Sequence, residues 1–528
     1  MSLAAAVEVD LPAPVGDLFE GALPASGGPW ALAVEAWSPS DAQRWRVVLA
    51  RAADGSLAAL SDAPVAAMLH ERLEALAQTV VTPCLCSAAT LDRLMHAGAA
   101  SFRALASVAA GSGSGLAIAR STELSALHLA EQTSPVLRLL DATLYDALND
   151  AVSDVHFECT PGGLNIRYRI DGVMLPVREA DGTALAEQLV SRLKVMAELD
   201  IGERRLPQDG RFQLRMAGRD VDFRLSIMPS VYGEDAVVRI LDRAQVEKAQ
   251  GGLTLEALGF DDATRQTLRR LARQPHGMLL VTGPTGSGKT TTLYAAITEI
   301  NDGQDKIVTI EDPVEYLLPG VVQIPVNEKK GLSFARGLRS VLRHDPDRVM
   351  VGEIRDAETA QIAIQAALTG HLVFSTVHAN HSLDVIGRFM HMGLDLYNVV
   401  SALNAVVAQR LLRINCLHCR RPVLLSAEGL AALEQLAGGG SPGIPATPMR
   451  GAGCVRCRGT GYRGRRAVAE LLLLDAGLRD LIAARAPLGQ IRQAALDRGM
   501  RTLRQAAAAL VLSGESTQEE LDRVTQSD

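Results

Sequence analysis

Short apolar runs in the middle of the chain predict the buried strands of an α/β domain. Each run has the length of a strand and lacks the polar alternation of a half-exposed sheet. The runs lie at residues 277–281, 306–310, 348–351 and 372–377. Helical spacing begins at Thr291 after the first run and recurs over residues 334–342. We expect the run at 372–377 to lie beside the run at 277–281.

A second group of segments, from residue 133 to 245, predicts an α+β domain. Two stretches with helical spacing, 135–150 and 185–199, predict helices. Runs rich in β-branched and aromatic residues predict strands at 155–158, 164–170, 210–215, 221–227 and 237–241. The domain carries no nucleophile or metal cluster of its own.

The first part of the chain, residues 1–110, predicts a small α/β domain without a catalytic signature. Strands are expected at 47–50 and 80–83, with a helix at 64–79 between them. Glycine and serine then alternate over residues 111–115, which is typical of a flexible linker. We assign residues 111–132 to this linker.

Composition narrows the class of protein. A chain of 528 residues is too long for one core and suggests three or four domains. The formal net charge of −7 and the lack of interleaved aromatic and basic residues disfavour nucleic acid as a partner. No apolar run approaches the ~18–20 residues that span a bilayer, and no secretory signal is evident, so we expect a cytoplasmic protein. Disulfides are not expected there.

The strongest motif directly follows the run at 277–281. It matches the phosphate-binding loop pattern G-x-x-x-x-G-K-[ST], with a strand before it and a helix after it. Backbone N–H groups would surround the phosphates of ATP, Lys289 would reach the terminal phosphates, and the Thr290 hydroxyl would hold Mg²⁺. The expected nucleotide-binding residues are Gly283, Pro284, Thr285, Gly286, Ser287, Gly288, Lys289, Thr290 and Thr291.

Acidic residues end two of the later strands. Glu311 follows one strand and Glu353 another, where either carboxylate could orient a water that attacks the terminal phosphate. Gly352 occupies the position where an aspartate commonly binds Mg²⁺, so Glu353 is better suited to water than to metal. His371 and His378 flank the run at 372–377. They are either structural or in contact with the terminal phosphate.

Arginines in the 133–245 domain have two interpretations. Arg211, Arg224 and Arg239 are either solvated or ion-paired residues of the sheet, or they reach the phosphates of a nucleotide bound elsewhere. A guanidinium that spans two phosphate oxygens offsets charge during phosphoryl transfer. The neighbouring phosphate-loop domain keeps the second interpretation open.

Two C-x-x-C pairs predict a structural zinc site. Four thiolates close a tetrahedral Zn²⁺ site and leave no open position for chemistry. The ligands would be Cys416, Cys419, Cys454 and Cys457. An expected helix at 427–436 accounts for their separation within an insertion at 414–460, and His418 is expected to be a neighbour of the metal and not a ligand. Residues 468–528 are expected to be helical throughout, beginning with a helix at 470–475.

Together these stretches resemble the secretion ATPase superfamily of type II secretion and type IV pilus assembly, specifically its GspE/PulE type. The resemblance covers residues 133 to 524. The matching stretches are 283–290 for the phosphate loop, 311–315 for the family's Asp box, 351–356 for its Walker B motif, 369–378 for its His box, 153–158 and 206–211 for its second domain, and the paired cysteines for its metal-binding insertion.

The resemblance implies a RecA-like ATPase core over 253–528, preceded by a PAS-like α+β domain at 133–245. It also implies a homohexamer in which ATP lies between two domains of one subunit and meets arginines brought by domain closure or by a neighbour. The 1–110 domain would dock onto cytoplasmic parts of inner-membrane proteins, so that membrane association is indirect.

The activity implied is Mg²⁺-dependent ATP hydrolysis that powers pseudopilus assembly in type II secretion. A type IV pilus extension motor is the alternative within the family. From other classes, a nucleic-acid translocase is disfavoured by the acidic balance. A scaffold that binds ATP without turnover is disfavoured by the intact lysine and glutamates.

Overall fold

The computed structural model describes residues 30–33, 37, 39–52, 54–77, 79–101, 123–124, 134–216, 219–241, 253–438 and 447–525. The chain divides into two compact units, Met1–Asp242 and Arg243–Asp528. Most of the linker expected at 111–132 lies outside the described residues. The described part of this linker, Glu123–Leu124, forms a two-residue strand.

The first unit begins with a four-stranded sheet in the order β1-β2-β3-β4. Buried leucine, valine and tryptophan side chains form its core. The strands are β1 (Trp30–Leu32), β2 (Val47–Ala52), β3 (Leu57–Ser61) and β4 (Val81–Leu85), and the helices are α1 (Pro39–Trp45), α2 (Ala67–Ala77) and α3 (Ala88–Ser101). The two strands and the helix predicted in this region are confirmed.

A second, seven-stranded sheet completes the first unit, in the order β5-β9-β10-β11-β6-β7-β8. Two helices, α4 (Pro135–Asn149) and α5 (Thr183–Met196), contribute side chains to its core. The strands are β5 (Glu123–Leu124), β6 (Asp154–Thr160), β7 (Gly163–Ile170), β8 (Val173–Asp181), β9 (Gln208–Met216), β10 (Arg219–Ser230) and β11 (Gly233–Leu241). Sequence reasoning missed β8, because this edge strand has no fully buried residue and so lacks a clear apolar alternation.

The second unit is built on a seven-stranded sheet in the order β14-β13-β15-β16-β12-β17-β20. All of its paired strands are parallel except β20, which runs antiparallel to β17. Its strands are β12 (Gly277–Thr282), β13 (Ile307–Glu311), β14 (Val322–Pro325), β15 (Arg348–Val351), β16 (Leu372–Val377), β17 (Leu403–Asn415) and β20 (Tyr462–Leu473). The predicted pairing of residues 372–377 with 277–281 is confirmed, since β16 lies directly beside β12.

Helices cover this sheet and continue to the end of the described chain. Several begin at a side chain that caps the first turn; Asp261, Ser333 and Asp356 each accept a bond from a backbone N–H three residues on. The helices are α6 (Asp262–Ala272), α7 (Lys289–Ile300), α8 (Phe334–Val341), α9 (Ala357–Leu368), α10 (Asp384–His391), α11 (Leu396–Ala402), α12 (Ala427–Leu436), α13 (Ala476–Ala483), α14 (Leu488–Asp497), α15 (Leu503–Leu512) and α16 (Gln518–Val524), with 3₁₀ turns at Glu328–Lys330 and Val455–Cys457.

The expectation that residues 468–528 are helical throughout is wrong at its start. Residues up to Leu473 belong to β20, which pairs with β17 along most of its length, and helix begins only at Ala476. The run 467–473 is mostly apolar because much of it is buried, and such a run does not distinguish a strand from a helix by periodicity. Within the described residues, no helix is both long and apolar enough to traverse a lipid bilayer.

The remaining two strands of the second unit form a small, separate two-stranded sheet. β18 (Arg420–Pro422) pairs antiparallel with β19 (Met449–Gly451). Each strand lies next to one of the C-x-x-C pairs in sequence. This two-stranded sheet lies between β17 and β20 in sequence, together with the predicted helix at 427–436, which is confirmed as α12.

Candidate functional site

The phosphate-binding loop runs from the end of β12 into α7. Gly283, Gly286 and Gly288 all have positive φ values, at 147°, 80° and 84°, which strain residues that carry a Cβ atom. Space is also short at Gly283, where a Cβ would lie 2.6 Å from the main-chain oxygen of Gln409. The loop therefore needs glycine for its backbone path and for its approach to β17.

Lys289 begins α7 and is turned back onto the loop. Its Nζ donates to the main-chain oxygens of Gly283 at 2.9 Å and Pro284 at 3.1 Å. Burial lowers the pKa of Lys289, and nearby Arg410 lowers it further, while Glu353 acts in the opposite direction. A buried cation held only by neutral carbonyls has the charge and the position to bind an anion at the loop.

Hydroxyl groups around the loop fit a phosphate chain with its metal ion. Ser287 is buried, and its Oγ has no hydrogen-bond partner among the described residues. Thr290 and Thr291 are half-buried in the first turn of α7, beside the positive end of the helix. An unsatisfied buried hydroxyl, an inward lysine and a helix N-terminus together suit ATP with Mg²⁺.

Gln409 on β17 clamps the loop, and sequence reasoning missed it. Its side chain is 1% exposed, donates to the Ser287 main-chain oxygen at 2.8 Å, and accepts from the Thr292 hydroxyl at 2.8 Å. One amide therefore joins the loop to the helix that follows it. Gln409 lies 122 residues after Ser287 and carries no motif of its own, so the pairing of β17 with β12 is what brings the two together.

Glu353 follows β15 at the same edge of the sheet as the loop. One carboxylate oxygen lies 3.3 Å from His378 Nε2, and the other forms an ion pair with Arg355. Burial and Lys289 lower the pKa of His378, although Glu353 acts in the opposite direction. The lowered pKa favours the neutral form of His378 at pH 7, in which the ring can donate one hydrogen bond to the half-buried carboxylate.

Glu311, at the end of the neighbouring strand β13, has different surroundings from Glu353. It is 2% exposed and accepts hydrogen bonds from the hydroxyls of Tyr294 and Thr309 and from the amide of Gln323. Burial and the bond to Glu311 raise the pKa of Tyr294. Three donors therefore surround the Glu311 carboxylate, which has almost no solvent access.

His371 does not reach the phosphate loop of its own chain. It precedes β16, its main-chain oxygen accepts from Gly277 N, and its Nδ1 lies 3.0 Å from the Ala366 oxygen. The six-residue strand, about 20 Å long, separates this edge from the edge that holds His378. The hypothesis that both histidines contact one phosphate is thus corrected for His371, which ties the end of α9 to the sheet.

The predicted arginines of the first unit form one row across its second sheet. Arg211, Arg224 and Arg239 lie directly opposite one another on β9, β10 and β11, and Arg239 lies opposite Asp154 on β6. Arg239 Nε donates to Asp154 at 2.8 Å. Adjacent like charges on one face destabilise a sheet unless anions offset them, and Asp154 offsets the charge of Arg239.

The four cysteines of the two C-x-x-C pairs meet. Their sulfurs all lie within 4.8 Å of one another. Cys416 is 3.9 Å from Cys454, and Cys457 is 3.7 Å from both Cys419 and Cys454. Tetrahedral zinc with Zn–S bonds of about 2.3 Å requires sulfurs roughly 3.8 Å apart, so the cluster fits Zn²⁺. His418 is not part of the cluster and contacts Arg456 instead.

Comparison with known proteins was made for the sequence and for the fold. The family model described as "Type II/IV secretion system protein" matches residues 129–523. Type II secretion system protein E of Pseudomonas aeruginosa is 46% identical over 396 residues, which cover 75% of this chain and 76% of that relative. Type II secretion system ATPase E of Vibrio cholerae is 43% identical over 400 residues, covering 75% and 76%.

The solved structures add a likeness of fold. The ATPase DotB of Legionella pneumophila superposes with a TM-score of 0.53 at 19% identity, covering 73% of this chain and 94% of DotB. DotB of Yersinia pseudotuberculosis gives 0.52 at 19% identity, with 73% and 92% covered. At this identity the likeness concerns the fold alone.

Proposed function

Because the chain belongs to the family of type II/IV secretion system proteins, we propose that it is a cytoplasmic ATPase that powers pseudopilus assembly in type II protein secretion. The observation that carries the proposal is the phosphate loop with its inward Lys289, whose charge is attracted by Glu353 at the same edge of the sheet. The relatives named as type II secretion proteins support the choice of machine.

Nucleotide binding is assigned to the loop and the start of α7. On binding, Lys289 would exchange its two loop carbonyls for phosphate oxygens, and the Ser287 hydroxyl would gain the partner that it lacks. Thr290 would hold Mg²⁺, which when bound offsets phosphate charge. The backbone N–H groups of the loop keep the phosphates in line for attack by water.

Water activation is assigned to Glu353. Its carboxylate is half-buried, close to Lys289, and held on one side by His378 and on the other by Arg355. It would orient the attacking water and accept its proton. Glu311 already accepts three hydrogen bonds in a closed environment, and we assign it a structural role.

The remaining parts of the chain are assigned to assembly and coupling. The 133–245 domain would bring the row of Arg211, Arg224 and Arg239 to the nucleotide phosphates within a homohexamer, in cis or from a neighbour. Residues 1–110 would dock onto cytoplasmic parts of inner-membrane proteins of the secretion machine. The insertion at 414–460 would hold one structural Zn²⁺ on Cys416, Cys419, Cys454 and Cys457.

Steady-state ATP hydrolysis by the purified full-length chain tests the activity. We expect Mg²⁺-dependent release of phosphate that Lys289→Ala abolishes, because no other cation of the loop can replace this ammonium group. Undiminished hydrolysis by Lys289→Ala would overturn the assignment. Strong stimulation of turnover by DNA would instead identify a nucleic-acid translocase.

A further inference from the structure

A polar cavity of about 500 Å³ lies beside the phosphate loop within the second unit. Residues from the segment after β16, from β17 and β20, and from α14 through the residue after α16 line it. No residue of the loop itself, 283–290, is part of the lining. The cavity is therefore a separate space next to the nucleotide site.

Arginines outnumber carboxylates on the cavity wall. Arg410, Arg492, Arg504 and Arg523 line it together with His381, against the carboxylates of Glu470 and Asp522. Both carboxylates already have partners. Glu470 accepts from the Ser382 N–H and hydroxyl and faces His381, and Asp522 pairs with Arg504 at 2.7 Å.

Arg410 lines this wall without a direct ion pair to a described residue, although Glu470 on the same wall attracts its charge. Its guanidinium is half-buried and donates to the main-chain oxygens of Gln409 and Asn380, both at 3.1 Å. It forms no ion pair with a carboxylate in the part of the chain that the structure describes. A half-buried guanidinium held by neutral carbonyls is stabilised further when an anion joins it.

Arg410 is also connected to the phosphate loop. The Gln409 oxygen that it binds lies 2.6 Å from the position of a Cβ on Gly283. The Gln409 side chain holds the Ser287 oxygen, and the positive charge of Arg410 acts on Lys289. An anion beside Arg410 would therefore change the charge that Lys289 experiences without occupying the nucleotide site.

We propose that this cavity is a second anion site, which binds a free oxyanion of the phosphate class on Arg410 and lies apart from the phosphate loop. Arginine forks match tetrahedral oxyanions. Arg504 and Arg523 are already paired with Asp522 and Glu520, so Arg410 would supply the guanidinium that binds the anion. The volume accommodates a small oxyanion with water. Neither the nucleotide nor the zinc ligands take part in this site.

Thermal unfolding of the full-length chain tests the proposal while ADP and Mg²⁺ saturate the nucleotide site. Sodium phosphate is titrated against sodium chloride of matched ionic strength. We expect a saturable rise in Tm of about 2 °C at ten times the Kd of phosphate. Arg410→Gln should lose this rise, and Arg410→Lys should keep part of it.

Arg479→Gln is the matched control. Arg479 is also half-buried and also donates to a main-chain oxygen of β17, that of Leu403 at 3.1 Å, but it lies outside the cavity. It should retain the full rise. If Arg410→Gln unfolds, isothermal titration of the folded Arg410→Lys variant with phosphate replaces it, and binding weakened at least several-fold is expected.

Three results would overturn the proposal. The first is a phosphate-dependent rise in Tm that survives in Arg410→Gln. The second is a rise in Tm that disappears once ADP fills the nucleotide site. The third is a rise in Tm of the same size with chloride. Vesicles of phosphatidylglycerol distinguish a lipid headgroup from the free ion. Binding to the vesicles without any effect of inorganic phosphate would also contradict a site for a free oxyanion.

Discussion

The hydroxyl of Tyr294 donates a hydrogen bond to the carboxylate of Glu311, and this bond ties the phosphate-loop helix α7 to the end of β13. Both side chains are fully buried. Glu311 is thus enclosed by donors, whereas Glu353, two residues beyond β15, keeps a 16% exposed side chain beside His378. The two glutamates follow neighbouring strands but have different surroundings, which supports the proposal that Glu353 is the base and Glu311 is structural.

The clamp formed by Gln409 predicts a defect in ATP binding. Gln409→Leu removes the bonds to the Ser287 oxygen and the Thr292 hydroxyl with little change in volume. We expect the KM for ATP to rise about tenfold, the equivalent of one hydrogen bond of about 1.4 kcal/mol. Asn404→Leu is the control, since Asn404 makes the same kind of bond, to the His276 oxygen, at the other end of β17. An equal rise of the KM for ATP in both variants would show that Gln409 only stabilises the fold.

The contact between His378 and Glu353 predicts a pH dependence. Because burial and Lys289 hold the pKa of His378 below its ordinary value of 6.5, the ring is neutral at pH 7 and becomes charged only below pH 6.5. We expect kcat to fall on the acid side of that value, as charged His378 pairs more tightly with Glu353 and makes it a weaker base. His378→Gln keeps a donor and should flatten this acid limb. An unchanged limb in His378→Gln would assign the titration to another group.

Several features of the fold were predictable because they leave a local signal. The strand before the phosphate loop, its neighbour β16 and the two cysteine pairs each have a motif or an apolar run. The roles of Gln409 and Arg410 were not predictable, because they depend on β17 pairing with β12. The prediction for His371 failed for a similar reason. The sequence does not show that β16 runs parallel to β12, and this direction places His371 at the edge of the sheet away from the phosphate loop.

The cysteine cluster predicts a bound metal. Metal analysis of the purified protein should find about one zinc per chain, because four sulfurs at these distances complete a tetrahedral site. Cys416→Ser should lose the metal and destabilise the insertion. Cys84→Ser, in the first unit and outside the cluster, should retain it. A folded wild-type chain without metal would refute the assignment.

The ion pairs of Glu520 predict that acid weakens the packing of α16 against the rest of the second unit. Burial alone would raise the pKa of Glu520, but bonds from Arg523 and Arg413 lower it to about 2 from 4.5. A depressed pKa stabilises the folded state above pH 4.5, and this stabilisation, on the order of 3 kcal/mol, is lost as the pH falls from 4.5 to 2. Glu520→Gln should remove this stabilisation at pH 7.

Urea unfolding at pH 7 and pH 3 measures this effect. Glu519→Gln is the control, because Glu519 is exposed and pairs with Arg450 at the surface, where a loss below about 1 kcal/mol is expected. Equal destabilisation by the two variants would contradict the buried attachment.

Single-turnover hydrolysis of bound ATP, compared between Glu353→Gln and Glu311→Gln, tests the assignment of the base most directly. Glu353→Gln should bind ATP normally and hydrolyse it about 10²- to 10⁴-fold more slowly than the wild type, because its amide cannot accept the proton of water. Glu311→Gln should keep most of its hydrolysis rate, since the hydroxyls of Tyr294 and Thr309 can reorient around an amide. Near-normal hydrolysis by Glu353→Gln, with loss in Glu311→Gln, would contradict this account.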